Sequence, residues 1–173
     1  MKKIIAILAV VIIGMQAASN ANAIEPQWRQ GTTLGGVMAG IDPWYLFDYD
    51  VLYFGGIGFV DYVLVDSWWK GHFTVGGQLG YIGGAVNGYH WHSFAASPRV
   101  TYGLNLTDKF EVHAGLNTGL AFGKGWTHFI HNEFVGMHLF FSENVAFTAQ
   151  AGYAFGLDDS YSPSLTAGIS FVF

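Results

Sequence analysis

Apolar residues recur at every second position along most of this chain. That period admits one regular structure, a β-strand with one apolar face. The run near 110–121 shows it most clearly. Phe110, Val112, Ala114, Leu116 and Leu120 fall on one face; Glu111, His113, Gly115, Asn117 and Gly119 fall on the other. Near 92–106, Phe94, Ala96, Val100, Tyr102, Leu104 and Leu106 oppose Ser93, Ser97, Arg99, Thr101 and Asn105. Near 145–156, Val145, Phe147, Ala149, Tyr153 and Phe155 oppose Thr148, Gln150 and Gly152. Phe73, Val75, Leu79 and Tyr81 oppose His72, Thr74 and Gln78 in the run near 71–83. Leu165, Ala167, Ile169, Phe171 and Phe173 oppose Ser164, Thr166, Gly168, Ser170 and Val172 in the last. Turn chemistry separates eight runs, near 31–41, 54–65, 71–83, 92–106, 110–121, 129–141, 145–156 and 163–173. The first two show little contrast between faces. The sixth breaks phase near Glu133, which predicts a bulge there.

What the apolar faces meet follows from composition. Charged residues make up 11% of the chain and aromatics 17%, against roughly 25% charged in ordinary soluble domains. After residue 23 no stretch is long and apolar enough for a spanning helix. Inside a bilayer only helices and closed barrels satisfy the backbone. A soluble eight-stranded barrel would need an outside rich in Lys and Glu. Here the polar faces carry Gly, Ser, Thr, Asn and Gln, which suit a narrow barrel interior, and the opposite faces carry bulky Phe, Leu, Val and Tyr, which suit lipid. The expected fold is therefore all-β: an eight-stranded, antiparallel, up-and-down transmembrane β-barrel with a small-polar interior.

The N-terminus is processed in this reading. Lys2 and Lys3 precede an apolar run from Ile4 to Met15, interrupted at Gly14, and Ala21-Asn22-Ala23 forms a small-x-small cleavage site. This is a secretory signal peptide over 1–23, since the run falls short of the ~20 residues that span a bilayer. Cleavage leaves residues 24–173 as a single barrel domain. Cysteine is absent, which excludes a disulfide framework or a lipid-anchored Cys. Without Lys2 and Lys3, five basic residues face twelve acidic ones, a net charge of −7. That balance argues against a nucleic-acid partner.

Thr166, Gly168, Phe171 and Phe173 set a polar residue, a glycine and two aromatics in fixed order at the C-terminus. The pattern resembles the C-terminal signal by which outer-membrane barrels are recognised for insertion. Connections at 107–109 and 142–144 are tight and that at 66–70 is short. Those at 42–53 and 84–91 are longer, and 122–128 and 157–162 are intermediate. Short periplasmic turns alternating with longer external loops is the outer-membrane pattern, and an even strand number puts both termini in the periplasm. Trp68 and Trp69 at one rim, Trp44, Tyr45, Tyr49, Tyr53, Tyr89, Trp91 and Trp126 at the other, and Trp28 before the first run read as interface anchors. Over residues 24–173 the chain resembles the small outer-membrane barrels of the OmpX type and the OmpA transmembrane domain. The resemblance implies an integral protein of a Gram-negative-type envelope. It would be surrounded by outer-membrane lipid and lipopolysaccharide and served by the outer-membrane assembly machinery during biogenesis. Members of that family include structural proteins, adhesins, narrow channels and lipid-modifying enzymes, so the fold does not choose a role.

Four constellations carry chemistry. Asp61, Arg99, Glu111 and Glu133 are expected to point inward, with His72, His113 and His138. Buried ions must be paired, and neighbouring strands suggest Arg99 with Glu111. An eight-stranded barrel is just wide enough for side chains to fill, so the expected network is a structural plug, the competing reading being an ion or proton path. His90, His92, His128 and His131 gather at the external rim and suit zinc or copper, against a reading as solvated histidines. Asp42, Asp48 and Asp50 in the first loop, with Asp158 and Asp159 in the last, suit Ca²⁺ or Mg²⁺, or simply keep the loops soluble. His92, Ser93, Ser97 and Asp159 are the places to look for an enzyme. However, His90-Trp91-His92-Ser93 does not reproduce the His-x-Ser-Asn pattern of the lipid A deacylase barrels. The expectation is a monomer without cofactor or catalysis, its interior filled and its role structural or surface-interacting. The alternatives are a narrow channel for small solutes, hydrophobic or not, with Pro43-Trp44-Tyr45-Leu46-Phe47 lining a lateral opening, and a lipid A-modifying enzyme.

Overall fold

The structure is a computed structural model that describes residues 28–41, 52–68, 71–86, 89–156 and 163–173. The expected signal peptide, the first external loop and the last one lie outside the described residues. Eight strands follow in order: β1 (Thr33–Ile41), β2 (Leu52–Trp68), β3 (Gly71–Val86), β4 (Tyr89–Thr107), β5 (Phe110–Gly123), β6 (Trp126–Ser142), β7 (Val145–Gly156) and β8 (Pro163–Val172). Each pairs antiparallel with the next, and β1 pairs with β8, so the sheet closes into a barrel with no free edge. Closure extends past the strand ends, where Phe173 N–H donates to the Thr33 carbonyl at 2.9 Å.

The strands run further than the alternation alone predicts. β3 reaches Val86 and β4 begins at Tyr89; β5 reaches Gly123 and β6 begins at Trp126. The connections expected over 84–91 and 122–128 therefore shrink to two residues each. Gly125, at φ +81°, takes the left-handed conformation in the second. Cross-strand pairing such as Gly83↔His92 and Phe122↔Thr127 continues where turn residues had suggested loop.

Two expectations about faces change. Glu133 marks no bulge: β5 and β6 stay in register from Phe110↔Leu139 to Gly123↔Trp126, and β6 shifts only between Phe140 and Ser142 against β7. The phase looked broken because β6 turns Ile130, Phe134 and Phe140 inward, where they are buried. Glu133 consequently points outward and pairs with His131 at 3.8 Å. Nor is the interior uniformly small and polar. β1 and β2 bury Leu34, Met38, Phe59 and Val63 inside and expose Val37, Ile41, Phe54, Val60 and Leu64 outside. Apolar residues on both faces explain their weak contrast in the sequence. The inner ones pack with Trp28, Phe140 and Ala146 into one apolar cluster.

On the outside, Val37, Leu79, Phe94, Leu116, Phe129, Leu139, Ile169 and Phe171 stand exposed around the wall. An apolar surface encircling the molecule is far beyond what a water-soluble monomer leaves uncovered.

Candidate functional site in the barrel interior

The inward faces deliver the charged residues into the lumen as expected: Asp61, His72, Arg99, Glu111, His113 and His138 are all buried. They fall into two layers. In the first, Arg99 Nε lies 3.1 Å from Asp61 Oδ1. Arg99 also donates to Gln78 Oε1 at 3.3 Å and to Thr101 Oγ1 at 3.5 Å. Its guanidinium sits 4.5 Å from the Phe59 ring centre and 4.7 Å from that of Phe134, a cation held between two aromatic faces. The pair depends on Gly76. Asp61, Gly76 and Arg99 occupy one cross-strand row of β2, β3 and β4, and a Cβ at position 76 would fall on the Asp61 carboxylate and the Val60 carbonyl. The expected partner of Arg99, Glu111, sits elsewhere. Arg99 pairs across β4–β5 with Asn117, while Glu111 faces Asn105, six residues further along β4.

The second layer is built around Glu111. His72 Nε2 approaches one carboxylate oxygen at 3.6 Å, and His113 Nδ1 and His138 Nε2 approach the other at 3.8 and 3.9 Å. The rings of His113 and His138 lie with centroids 4.4 Å apart. Glycines again make the room. His72, Gly103, His113, Gly136 and Gln150 form one row across five strands. A Cβ at Gly103 would come within 2.8 Å of Glu111 Oε1. Bulky side chains alternating with glycine along a row are how a narrow barrel fills without clash. Behind His138, Thr148 Oγ1 lies 2.7 Å from Nδ1 and hydrogen-bonds Ser170 in turn. Behind His113, the Gln150 amide nitrogen lies 3.3 Å from Nε2.

Trp28 closes this layer. It is 1% exposed, with ring centres 5.4 Å from His72, 5.7 Å from His138 and 5.3 Å from Phe140. The sequence reading made it an interface anchor. It is instead a plug at the end of the barrel that holds the tight turns, and its indole N–H points toward Glu111 without completing a hydrogen bond. Nothing in the alternation could reveal this, because Trp28 precedes β1. Thr148, Ser170 and Gln150 were legible as inward-facing, but not as partners of particular histidines.

The other expected constellations do not assemble among the described residues. His90 and His92 point outward on β4, in phase with exposed Phe94. His128 points inward beside Trp126, at a ring separation of 4.7 Å, and His131 points outward to Glu133. A barrel wall thus separates the rim histidines. His92 and Ser93 likewise face opposite sides, with Ser93 buried, so they cannot act as a base and nucleophile pair. Asp42, Asp48, Asp50, Asp158 and Asp159 lie outside the described residues, as does the aromatic segment 43–47. The insertion-signal residues lie along β8 and just past its end: Thr166 is buried and Gly168 lies inward, while Phe171 and, beyond the strand, Phe173 are exposed.

No protein-family model and no curated protein matches the sequence. Similarity emerges in the fold. A de novo designed transmembrane β-barrel superposes with TM-score 0.56 at 13% identity, over 84% of this chain and 98% of the design. Ail, the attachment invasion locus protein of Yersinia pestis, superposes with TM-score 0.52 at 12% identity, over 83% and 97%. The outer membrane enzyme PagL superposes with TM-score 0.50 at 15% identity, over 82% and 98%. Eight antiparallel strands, closed upon themselves with an apolar outer wall, give this chain the fold of the small transmembrane β-barrels found in outer membranes.

Proposed function

We propose that the protein is an integral outer-membrane barrel whose filled interior serves stability, and whose role is structural or surface-interacting and not catalytic. The observation that carries this reading is the layer of Asp61 and Arg99 wedged between Phe59 and Phe134. Buried charges paired in this way fix the interior and leave no continuous aqueous path at that level. The exposed apolar wall supports lipid as its surroundings, and lipopolysaccharide as the lipid of the outer leaflet. In this orientation the tight turns and both termini face the periplasm. The protein acts as a monomer.

Planar-bilayer recording tests the filled interior, beside a gel comparison of boiled and unboiled protein in detergent. The expected result is faster migration of the unboiled form and no stable unitary conductance. Identical migration would overturn the barrel in solution. A folded barrel with steady unitary events would overturn the filled interior and favour the narrow channel.

A further inference from the structure

We propose that the Glu111 layer is a binding site for one first-row divalent transition metal ion of the zinc or copper class, held by Glu111, His113 and His138 with His72 beside it. One carboxylate oxygen and two imidazole nitrogens, all buried, have ligand atoms within 4.8 Å of one another. This is the donor set such ions prefer, and the one hard calcium or magnesium does not.

The separations favour an ion over a hydrogen-bonded network. The three Glu111–His distances are 3.6, 3.8 and 3.9 Å. Hydrogen bonds to a carboxylate close at about 2.7–3.2 Å. Ligands on a tetrahedral zinc with bonds of 2.0–2.1 Å stand about 3.4 Å from one another. The groups are therefore too far apart to bond directly. His113 Nδ1 and His138 Nε2 each need to close on Glu111 Oε1 by about half an ångström around a shared ion, and no two ligand atoms of the set stand more than 4.8 Å apart. Glu111 Oε2, His113 Nδ1 and His72 Nδ1 have no hydrogen-bond partner. Buried polar atoms are rarely left so.

The surroundings orient the ligands. With its Nδ1–H donated to Thr148, His138 turns the Nε2 lone pair toward Glu111, the arrangement by which an outer hydroxyl sets the tautomer of a metal-bound histidine. With that tautomer the Thr148 hydroxyl donates its own hydrogen bond to Ser170 Oγ. On the other side, turning the Gln150 amide about its terminal bond sets an acceptor opposite His113 Nε2 and leaves Nδ1 free to ligate. Trp28 covers the group on the tight-turn side. The rim histidines take no part, because His90, His92 and His131 face out of the barrel and inward His128 lies ten residues along β6 from His138.

The test uses the purified protein in detergent micelles. It is stripped of metal, loaded with Zn²⁺ alone or Cu²⁺ alone, and passed through gel filtration. Expected are one bound metal per barrel by elemental analysis, and a single Cu²⁺ electron paramagnetic resonance signal split by nitrogen. His113→Gln and His138→Gln should weaken binding at least about 100-fold. His90→Ala combined with His92→Ala should leave it unchanged. Heat-modifiable gel migration confirms that each variant is folded. Should the ligand variants fail to fold, Thr148→Val decides: it leaves the ligands in place and should weaken binding about 10–100-fold. A folded wild-type barrel that retains no metal would overturn the proposal. So would a stoichiometry unchanged in folded His113→Gln, or in Thr148→Val if the ligand variants do not fold, or a copper signal lost with the rim histidines.

Discussion

Gly76 is small so that two charges can meet across it. In Gly76→Ala the new methyl overlaps both the Val60 carbonyl and the Asp61 carboxylate, so β2 and β3 must part locally and Arg99 loses its partner while staying buried. Breaking a buried pair in this way costs about 3–5 kcal/mol. Its neighbour supplies the control. A Cβ at Gly77 meets only the Ser97 carbonyl at 3.9 Å, so Gly77→Ala should stay within about 0.5 kcal/mol of wild type. Urea unfolding from detergent or lipid, followed by tryptophan fluorescence, compares the two. Equal midpoints would mean that Asp61 and Arg99 can separate freely. Trp28 bears the same kind of argument. Among the described residues it is the largest fully buried side chain, and it touches three rings. Trp28→Ala should lower stability by about 3–5 kcal/mol through lost burial and the cavity left behind. The same assay, read by gel migration, checks it, and a loss below about 1 kcal/mol would return Trp28 to the role of a surface anchor.

At the scale of an element, β8 shows how a strand can matter to assembly more than to the finished fold. The Phe173 side chain is 79% exposed, while its backbone bonds to Thr33 of β1 and helps close the barrel. Phe173→Ala keeps those backbone bonds and removes a side chain that contributes little once folded. Refolding into detergent should therefore change by less than about 0.5 kcal/mol. The folded amount in the outer membrane of cells should fall strongly if the C-terminal aromatic is read during insertion. Equal losses in both settings would show that Phe173 acts through stability. β6 teaches a different lesson about elements. Its phase was obscured because inward Ile130, Phe134 and Phe140 are as apolar as outward Leu139 and Phe141. Only pairing with β5 reveals which face looks in.

For the molecule as a whole, the proposed filled interior rests on two layers of buried side chains in the lumen. Replacing both Arg99 and Phe134 with serine removes the cation and one of its two aromatic covers. Unitary conductance should then appear in planar bilayers, against the silence expected of the wild type. A silent double variant would mean that the remaining side chains, with Trp28 at the end, suffice to block the path. The proposed non-catalytic role is tested at this scale too. Lipid A from cells with and without the protein should give the same mass spectrum, and a lost acyl chain or added group would reopen the enzyme reading.

Alternation is a local property, so the sequence by itself determined the strand count, the face of each strand with clear contrast, and the tight turns at 107–109 and 142–144. The alternation also brought Asp61, His72, Arg99, Glu111, His113 and His138 inward together. Which of them touch depends on register accumulated across several strands, and no stretch of sequence carries that sum. Arg99 therefore meets Asp61 two strands away, not Glu111 on the strand beside it. Tertiary structure alone decided that Trp28 turns back into the lumen, that the rim histidines stand on opposite sides of a wall, and that three histidines close around one buried carboxylate. The physical reason is the same in each case. A residue's face is set by its two chain neighbours, whereas its contacts are set by how the closed sheet staggers around the axis.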